Sequence, residues 1–310
     1  MTNAPLFTEL AEAPSGGVAH FVTTSDDTKV RFALWADGTA GTVFLFPGRT
    51  EYIEKYGRMV GDLTKRGFAV VVIDWRGQGL SDHMDGRTDI GDVVNFADYQ
   101  QDLATIMDHP DVLALTGPRL LFSHSMGGCI ALRSLLNGVK FDAAVFSAPM
   151  WDLTIPHGAY NLMAFLTKIA RALGMGNRRM PSTSPGFYVV EGKFDDNTLT
   201  TDQNHWEYMR DQVIAKPELG LGGASMRWFR NALDEFKAFR AEKMPDIPIL
   251  VMLGSDEKIV SLSAVQTITK RIPNGKLLMI DNARHEIWME TPEIQAKAWA
   301  EIDTFLADLA

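Results

Sequence analysis

Three short stretches of this 310-residue chain carry side chains that together are able to perform acyl transfer. In Ser123-His124-Ser125-Met126-Gly127, a serine has small residues two positions to either side. A sharp strand-to-helix turn that lifts a hydroxyl clear of the backbone requires that spacing, because strand and helix then nearly touch. Gly127 meets the need outright, and Ser123 stands where a glycine is usual. A serine hydroxyl is a weak nucleophile near neutral pH, so Ser125 needs a base within hydrogen-bond reach and an acid to orient that base. Of the seven histidines, only His285, in Asn282-Ala283-Arg284-His285-Glu286, follows the last apolar run, where a loop can carry an imidazole over the turn. His124 abuts the nucleophile and is expected to point away from it along its strand. The acid falls in Gly254-Ser255-Asp256-Glu257, where Asp256 and Glu257 compete and only one can face His285 well. The developing oxyanion needs two donors, each worth about 2.7–4 kcal/mol. The backbone N–H of Met126 is one, and that of Arg49, in the loop Phe46-Pro47-Gly48-Arg49, is the other.

Elements of defined length must hold these groups. Val43 to Phe46, Val70 to Asp74, Leu120 to Ser123, Ala144 to Ser147, Ile249 to Leu253 and Leu277 to Ile280 are short, β-branched-rich apolar runs. Continuous apolarity predicts strands buried on both faces, as in a parallel sheet. Amphipathic stretches between them predict crossover helices over Tyr52 to Lys65, Val93 to Met107, Gly127 to Leu136, Ser263 to Arg271 and Pro292 to Leu309. Val18 to Thr23 and Val30 to Trp35 flank the polar cluster Ser25-Asp26-Asp27-Thr28 and predict an antiparallel hairpin at the sheet edge. Thr291-Pro292 reads as an N-cap followed by proline at the first helical position. Asp74-Trp75-Arg76-Gly77-Gln78-Gly79 follows a strand and predicts a tight supporting loop, since no dinucleotide fingerprint completes it.

The rhythm breaks after Met150, and roughly 90 residues pass without a buried strand, far beyond an ordinary connection. The expected organisation is a body of residues 1–149 and 240–310 with a helical cap over 150–239. Within it Leu162, Phe165, Leu166, Ile169 and Leu173 recur at helical spacing and predict an apolar underside for the cap. Trp151, Trp206 and Trp228 are its candidate substrate-binding residues.

Composition narrows the partners. With 30 Lys and Arg against 39 Asp and Glu, the formal net charge is −9, and no basic cluster suits a phosphate backbone, so nucleic acid is not an expected partner. A single cysteine, Cys129, precludes an intrachain disulfide and a cysteine-rich metal site, and is expected as a small buried residue. No metal is expected. No apolar stretch reaches the length of a membrane span, and the opening residues lack the basic and apolar regions of a signal peptide, so a cytoplasmic protein without integral membrane association is the expectation.

The motifs together resemble the α/β-hydrolase superfamily, and within it the lysophospholipase L2 and monoacylglycerol lipase branch. Pro47-Gly48-Arg49-Thr50-Glu51 with Lys55-Tyr56 is similar to that branch's oxyanion loop, with Pro47 where a histidine often stands. Asp74 to Gly79, Ser123 to Gly127, Ala283-Arg284-His285-Glu286 with Glu290, and Leu221 to Trp228 resemble its second loop, elbow, histidine loop and cap-closing segment. The resemblance implies a mostly parallel sheet flanked by helices, with a helical cap. Its spacing after Gly254 selects Glu257 as the acid, with Asp256 the alternate. It further implies hydrolysis of a fatty acyl ester through an acyl-serine, on a small lipid substrate and with no cofactor. A monoacylglycerol lipase or short-chain carboxylesterase is the near alternative. An aminopeptidase of this fold would need a cap carboxylate such as Glu191, Asp195, Asp196 or Glu207, and a non-catalytic binding protein would be expected to lack part of the triad.

Overall fold

The computed structural model describes residues 2–181 and 183–309. Its strands are β1 (Thr2–Asn3), β2 (Val18–Thr23), β3 (Lys29–Trp35), β4 (Gly41–Phe46), β5 (Phe68–Asp74), β6 (Ile90–Gly91), β7 (Arg119–His124), β8 (Ala143–Ser147), β9 (Gly223–Ala224), β10 (Ile249–Gly254) and β11 (Gly275–Ile280). One nine-stranded sheet runs β1-β2-β3-β5-β4-β7-β8-β10-β11. The pairs from β5 to β11 are parallel, while β1, β2 and β3 join antiparallel. β6 and β9 make a separate parallel pair. From β4 the chain crosses to β5 on one side and later returns to β7 on the other, so a crevice opens at the carboxyl ends of β4 and β7. Open α/β sheets bind ligands at such a switch point.

The helices are α1 (Thr8–Ala11), α2 (Gly57–Lys65), α3 (Ala97–Met107), α4 (Pro110–Leu113), α5 (Met126–Leu136), α6 (His157–Ala172), α7 (Tyr188–Glu191), α8 (Gln203–Ala215), α9 (Met226–Phe239), α10 (Leu262–Thr269) and α11 (Pro292–Ala307). Alternate residues of the central strands serve two cores. Phe44, Phe46, Leu121 and Phe146 pack with α3, α5, α9 and α10, and Val43, Leu45, Phe122 and Val145 pack with α2, α8 and α11. Each such side chain contributes about 1.5–3 kcal/mol on burial, and the interior strands are buried along their whole length, as their unbroken apolarity predicts.

Local expectations give way at three places. β11 is the outer strand and has no neighbour beyond it, so its apolar run is not buried on both faces and Met279 is 39% exposed. Thr291 precedes Pro292 as predicted, but its side chain caps nothing. The apolar stripe of α6 faces outward, with Phe165 60% and Leu173 67% exposed. Thr167 and Ala170, on the other face, are buried, and Tyr160, Met163 and Ala164 pack toward the core that contains α9. Periodicity shows that a helix has an apolar stripe and leaves its direction open. The underside of the segment between β8 and β10 is built by α8 and α9, whose Tyr208, Met209, Trp228, Phe229 and Phe236 belong to the two cores of the body. Among the described residues, no helix is long and apolar enough to cross a membrane.

Candidate active site

Ser125 joins β7 to α5 with φ 49° and ψ −117°, left-handed backbone that a non-glycine residue adopts only under strain. Hydrogen bonds hold it there. Its N–H donates to the Ser147 carbonyl at 3.1 Å, and its own carbonyl accepts from Gly128 and Met150 N–H, both at 2.9 Å. A Cβ on Gly127 would collide with the carbonyl oxygens of Phe46 and Pro47, so the glycine is what lets α5 approach β4. Ser123 is fully buried at the end of β7, and its Oγ has no partner among the described residues. Cys129 is buried one helical turn after Ser125.

His285 follows β11 and is buried, with Nδ1 2.7 Å from Glu257 Oε2. The other Glu257 oxygen accepts the N–H groups of Ile259 at 2.5 Å and Val260 at 3.1 Å. Burial alone would raise the Glu257 carboxyl, but His285 and these donors outweigh it and hold the group below its ordinary value. Asp256 turns outward, exposed, 3.5 Å from Ser255 Oγ. The adjacent carboxylates therefore part company, and Glu257 alone faces the imidazole.

The loop after β4 is fixed from several sides. Gln78 donates to the Gly48 carbonyl at 2.9 Å and accepts from Thr50 N–H at 2.7 Å, while Trp75 Nε1 donates to the Pro47 carbonyl at 3.1 Å. The Gly48 N–H donates to the Glu51 carboxylate. The N–H groups of Arg49 and Met126 have no protein acceptor among the described residues. The loop after β5 thus braces the loop after β4, and it is itself braced: Asp74 accepts from Arg31, Ile53 N–H and Leu80 N–H, and Arg76 pairs with Asp26 and Asp102.

Beneath these groups lies a buried charge cluster that sequence reasoning missed. Lys55 Nζ is 2.7 Å from Glu51 Oε1 and 2.6 Å from Glu286 Oε1, and Tyr56 OH donates to Glu51 Oε2 at 2.5 Å. His124 points into it: Nε2 lies 3.3 Å from Glu286 Oε2, Nδ1 lies 3.1 Å from the Ser147 carbonyl, and its ring stands 4.7 Å from that of His285. Burial would raise Glu286, but His124 and Lys55 outweigh it and keep it ionised well below its usual range. Burial would lower Lys55 and His124, but the Glu286 and Glu51 carboxylates raise both. Glu51, His124 and Glu286 present ligand atoms within 4.8 Å of one another, yet Lys55 already supplies their positive charge, so the set does not fit a metal ion. The available signal was a titratable residue directly beside Ser125 and another beside His285, namely His124 and Glu286.

Ser125, His285 and Arg49 open onto one cavity of about 660 Å³, walled by apolar side chains including Met150, Leu153, Phe187 and Met209. Trp228 lines it. Trp151 and Trp206 do not, which corrects their expected role: Trp151 is fully buried in the core with Nε1 donating to the Gly128 carbonyl at 3.1 Å, and Trp206 is buried against Tyr188.

The sheet order, the strained turn at its switch point and the helical excursion between β8 and β10 define an α/β-hydrolase. Residues 37–292 match the family described as Serine aminopeptidase, S33 (Hydrolase_4). The probable lysophospholipase L2 of Haemophilus influenzae is 27% identical over 266 residues, covering 85% of this chain and 83% of that protein. Lysophospholipase L2 of Escherichia coli K12 is 27% identical over 296 residues, covering 90% and 84%. A soluble variant of the monoglyceride lipase of Saccharomyces cerevisiae, solved with a substrate analogue, superposes with a TM-score of 0.72 at 20% identity, covering 94% of this chain and 96% of that one. The chain belongs to the Hydrolase_4 family, in its lysophospholipase and monoglyceride lipase branch, and is an ester-hydrolysing enzyme.

Proposed function

We propose that the chain is a serine hydrolase cleaving the fatty acyl ester of a lysophospholipid through an acyl-serine intermediate. The observation that carries this reading is His285, held by the buried Glu257 and opening with Ser125 onto a largely apolar cavity. Glu257 holds the Nδ1–H of His285, which leaves Nε2 as the nitrogen that takes the Ser125 proton. Ser125 Oγ then attacks the ester carbonyl, and the N–H groups of Arg49 and Met126 receive the oxyanion. The imidazolium returns its proton to the leaving alcohol. A water activated by the same nitrogen releases the fatty acid and restores the serine. Protein groups and water complete the cycle, and the apolar walls shelter the acyl chain.

Of the cap carboxylates that an aminopeptidase would require, Glu191 lines the cavity and accepts from Ser184 Oγ at 2.7 Å, whereas Asp195, Asp196 and Glu207 do not line it, so the aminoacyl amides in the substrate panel test that reading. The test is turnover of lysophospholipids, monoacylglycerols, p-nitrophenyl esters and aminoacyl amides by the wild type and by Ser125→Ala. The expected result is lysophospholipid cleavage that falls on the order of 10⁴- to 10⁶-fold in the variant. Full activity in Ser125→Ala, or turnover confined to aminoacyl amides, would overturn the proposal.

A further inference from the structure

Arg31, Lys55 and Arg76 are buried cations, and each has a carboxylate partner. Arg31 meets Glu54 and Asp74 at 2.7 Å, Arg76 meets Asp102 at 2.7 Å, and Lys55 meets Glu51 and Glu286. Arg49 differs. Among the described residues no carboxylate lies within salt-bridge distance of its guanidinium, although acidic residues outnumber basic ones in the chain, 39 to 30. Of the acids that line the cavity, Glu51 binds Lys55, Tyr56 and the Gly48 N–H, Glu286 binds Lys55 and His124, and Glu191 accepts from Ser184 Oγ; Asp92, beside Gly91, binds Ser225 and Arg227.

The guanidinium is nevertheless seated. Nη2 donates to the Gly222 carbonyl at 2.5 Å, and Cζ lies 5.3 Å from the ring centre of Trp228. A Cβ on Gly91 would stand only 2.7 Å from Nη2, so the glycine makes room for the group. Nε is buried and has no partner among the described residues. Burial pushes the side chain down to about 10, which leaves it charged at neutral pH. A fixed cation with unspent N–H donors thus lines the cavity that holds Ser125 and His285.

We infer that the Arg49 side chain is the subsite for the phosphate of the substrate, which it binds through charge-assisted N–H···O hydrogen bonds. The inference rests on the lysophospholipid reading above and names the group that would impose it. Guanidinium suits this task because its planar fork offers parallel donors to phosphate oxygens. The phosphorus of a lysophospholipid stands a glycerol's length from the ester carbonyl. An arginine side chain spans a comparable distance between its own backbone N–H and its guanidinium, so one residue would serve both ends: N–H to the oxyanion and side chain to the head group.

The experiment compares kcat/KM for 1-palmitoyl lysophosphatidylcholine and 1-palmitoylglycerol, below their micellar concentrations, in wild type, Arg49→Lys and Arg49→Met. Because the backbone of Arg49 also serves the reaction, the ratio between substrates is read and not either rate. The preference for the phosphate-bearing substrate is expected to fall at least about tenfold in Arg49→Met and less in Arg49→Lys. Equal losses on both substrates would overturn the inference. A second arm measures binding of sn-glycerol 3-phosphate and inorganic phosphate to the Ser125→Ala protein by calorimetry. Glycerol 3-phosphate binding that disappears when Arg49→Met is added supports the subsite, and binding unaffected by it overturns it. Tighter binding of inorganic phosphate than of glycerol 3-phosphate would overturn the head-group assignment in favour of a free-phosphate site. Wild type that cleaves 1-palmitoylglycerol and no lysophospholipid would fell the proposed substrate, whereas the calorimetric arm would still decide the role of Arg49.

Discussion

Replacing Lys55 by methionine removes an ammonium from between two carboxylates where none of the three side chains is more than 5% exposed. Methionine keeps most of the stem's volume, so the loss is chiefly electrostatic. Removing one partner of a buried ion pair costs about 3–5 kcal/mol. Glu51 retains the Gly48 and Tyr56 donors and Glu286 retains His124, which places the cost near the lower end, at about 3 kcal/mol. At about 2.1 cal/mol/K of unfolding entropy per residue, a chain of this length loses roughly 5 °C in melting temperature. The pH dependence has a definite sign. Glu286 is depressed in the folded wild type, so its stabilisation is present above the unfolded carboxyl value of 4.5 and fades as pH falls toward the folded value. Without Lys55 its carboxyl rises, and the gap between variant and wild type narrows on acidification. Scanning calorimetry of both proteins at about pH 8, 6 and 5 measures this, with Lys55→Met/Glu286→Gln expected to recover part of the loss by deleting one orphaned charge. A Lys55→Met protein melting within about 1 °C of wild type at pH 8, or a gap independent of pH, would refute the reasoning.

Glu257→Gln is expected to lower kcat on the order of 10⁴-fold by favouring the wrong imidazole tautomer, and Asp256→Asn to stay within about twofold; steady-state kinetics giving comparable defects would contradict the assignment. Ser125→Gly relieves the φ of 49° and, after the entropic cost of glycine, should raise the unfolding free energy by about 1 kcal/mol while abolishing turnover. Denaturant titration showing a less stable variant would count against strain at the nucleophile. Burial lowers His124, but Glu286 and Glu51 outweigh it and raise the imidazole above 6.5, so its stabilisation is complete below that pH and is lost as pH climbs through the raised folded value. Thermal melts should therefore show a larger wild-type advantage over His124→Gln at about pH 6 than at about pH 9, and the reverse trend would exclude a charged His124.

What the chain discloses in one dimension follows the range of the forces involved. The turn at Ser125 is local, since strand, helix and Gly127 are all within a few residues, and the interior strands announce themselves by unbroken apolarity. The position of His285 after the last strand is a matter of topology, which element order supplies. The pairing with Glu257 depends on which of two neighbouring side chains turns inward, and composition is silent on that; only the resemblance selected between them. Direction also decided the misreadings. The stripe on α6 was visible while its outward facing was not, and Trp151 and Trp206 are aromatic for the sake of the core. The Lys55 cluster is assembled from residues near 51, 124 and 286, so no window of sequence contains it.

That last separation has a consequence for the life of the molecule. The Lys55 to Glu286 bond closes a loop of 231 residues, and His285, which pairs with Glu257 beyond β10, itself follows β11 in the chain. During synthesis the serine and the loop after β4 emerge early, at about 5–20 residues per second, but the imidazole and its brace arrive after most of the sheet. A half-made chain therefore carries Ser125 without His285, and the loop after β4 without its far anchor Glu286. On the proposed mechanism, hydrolytic competence comes with the final closure of the fold.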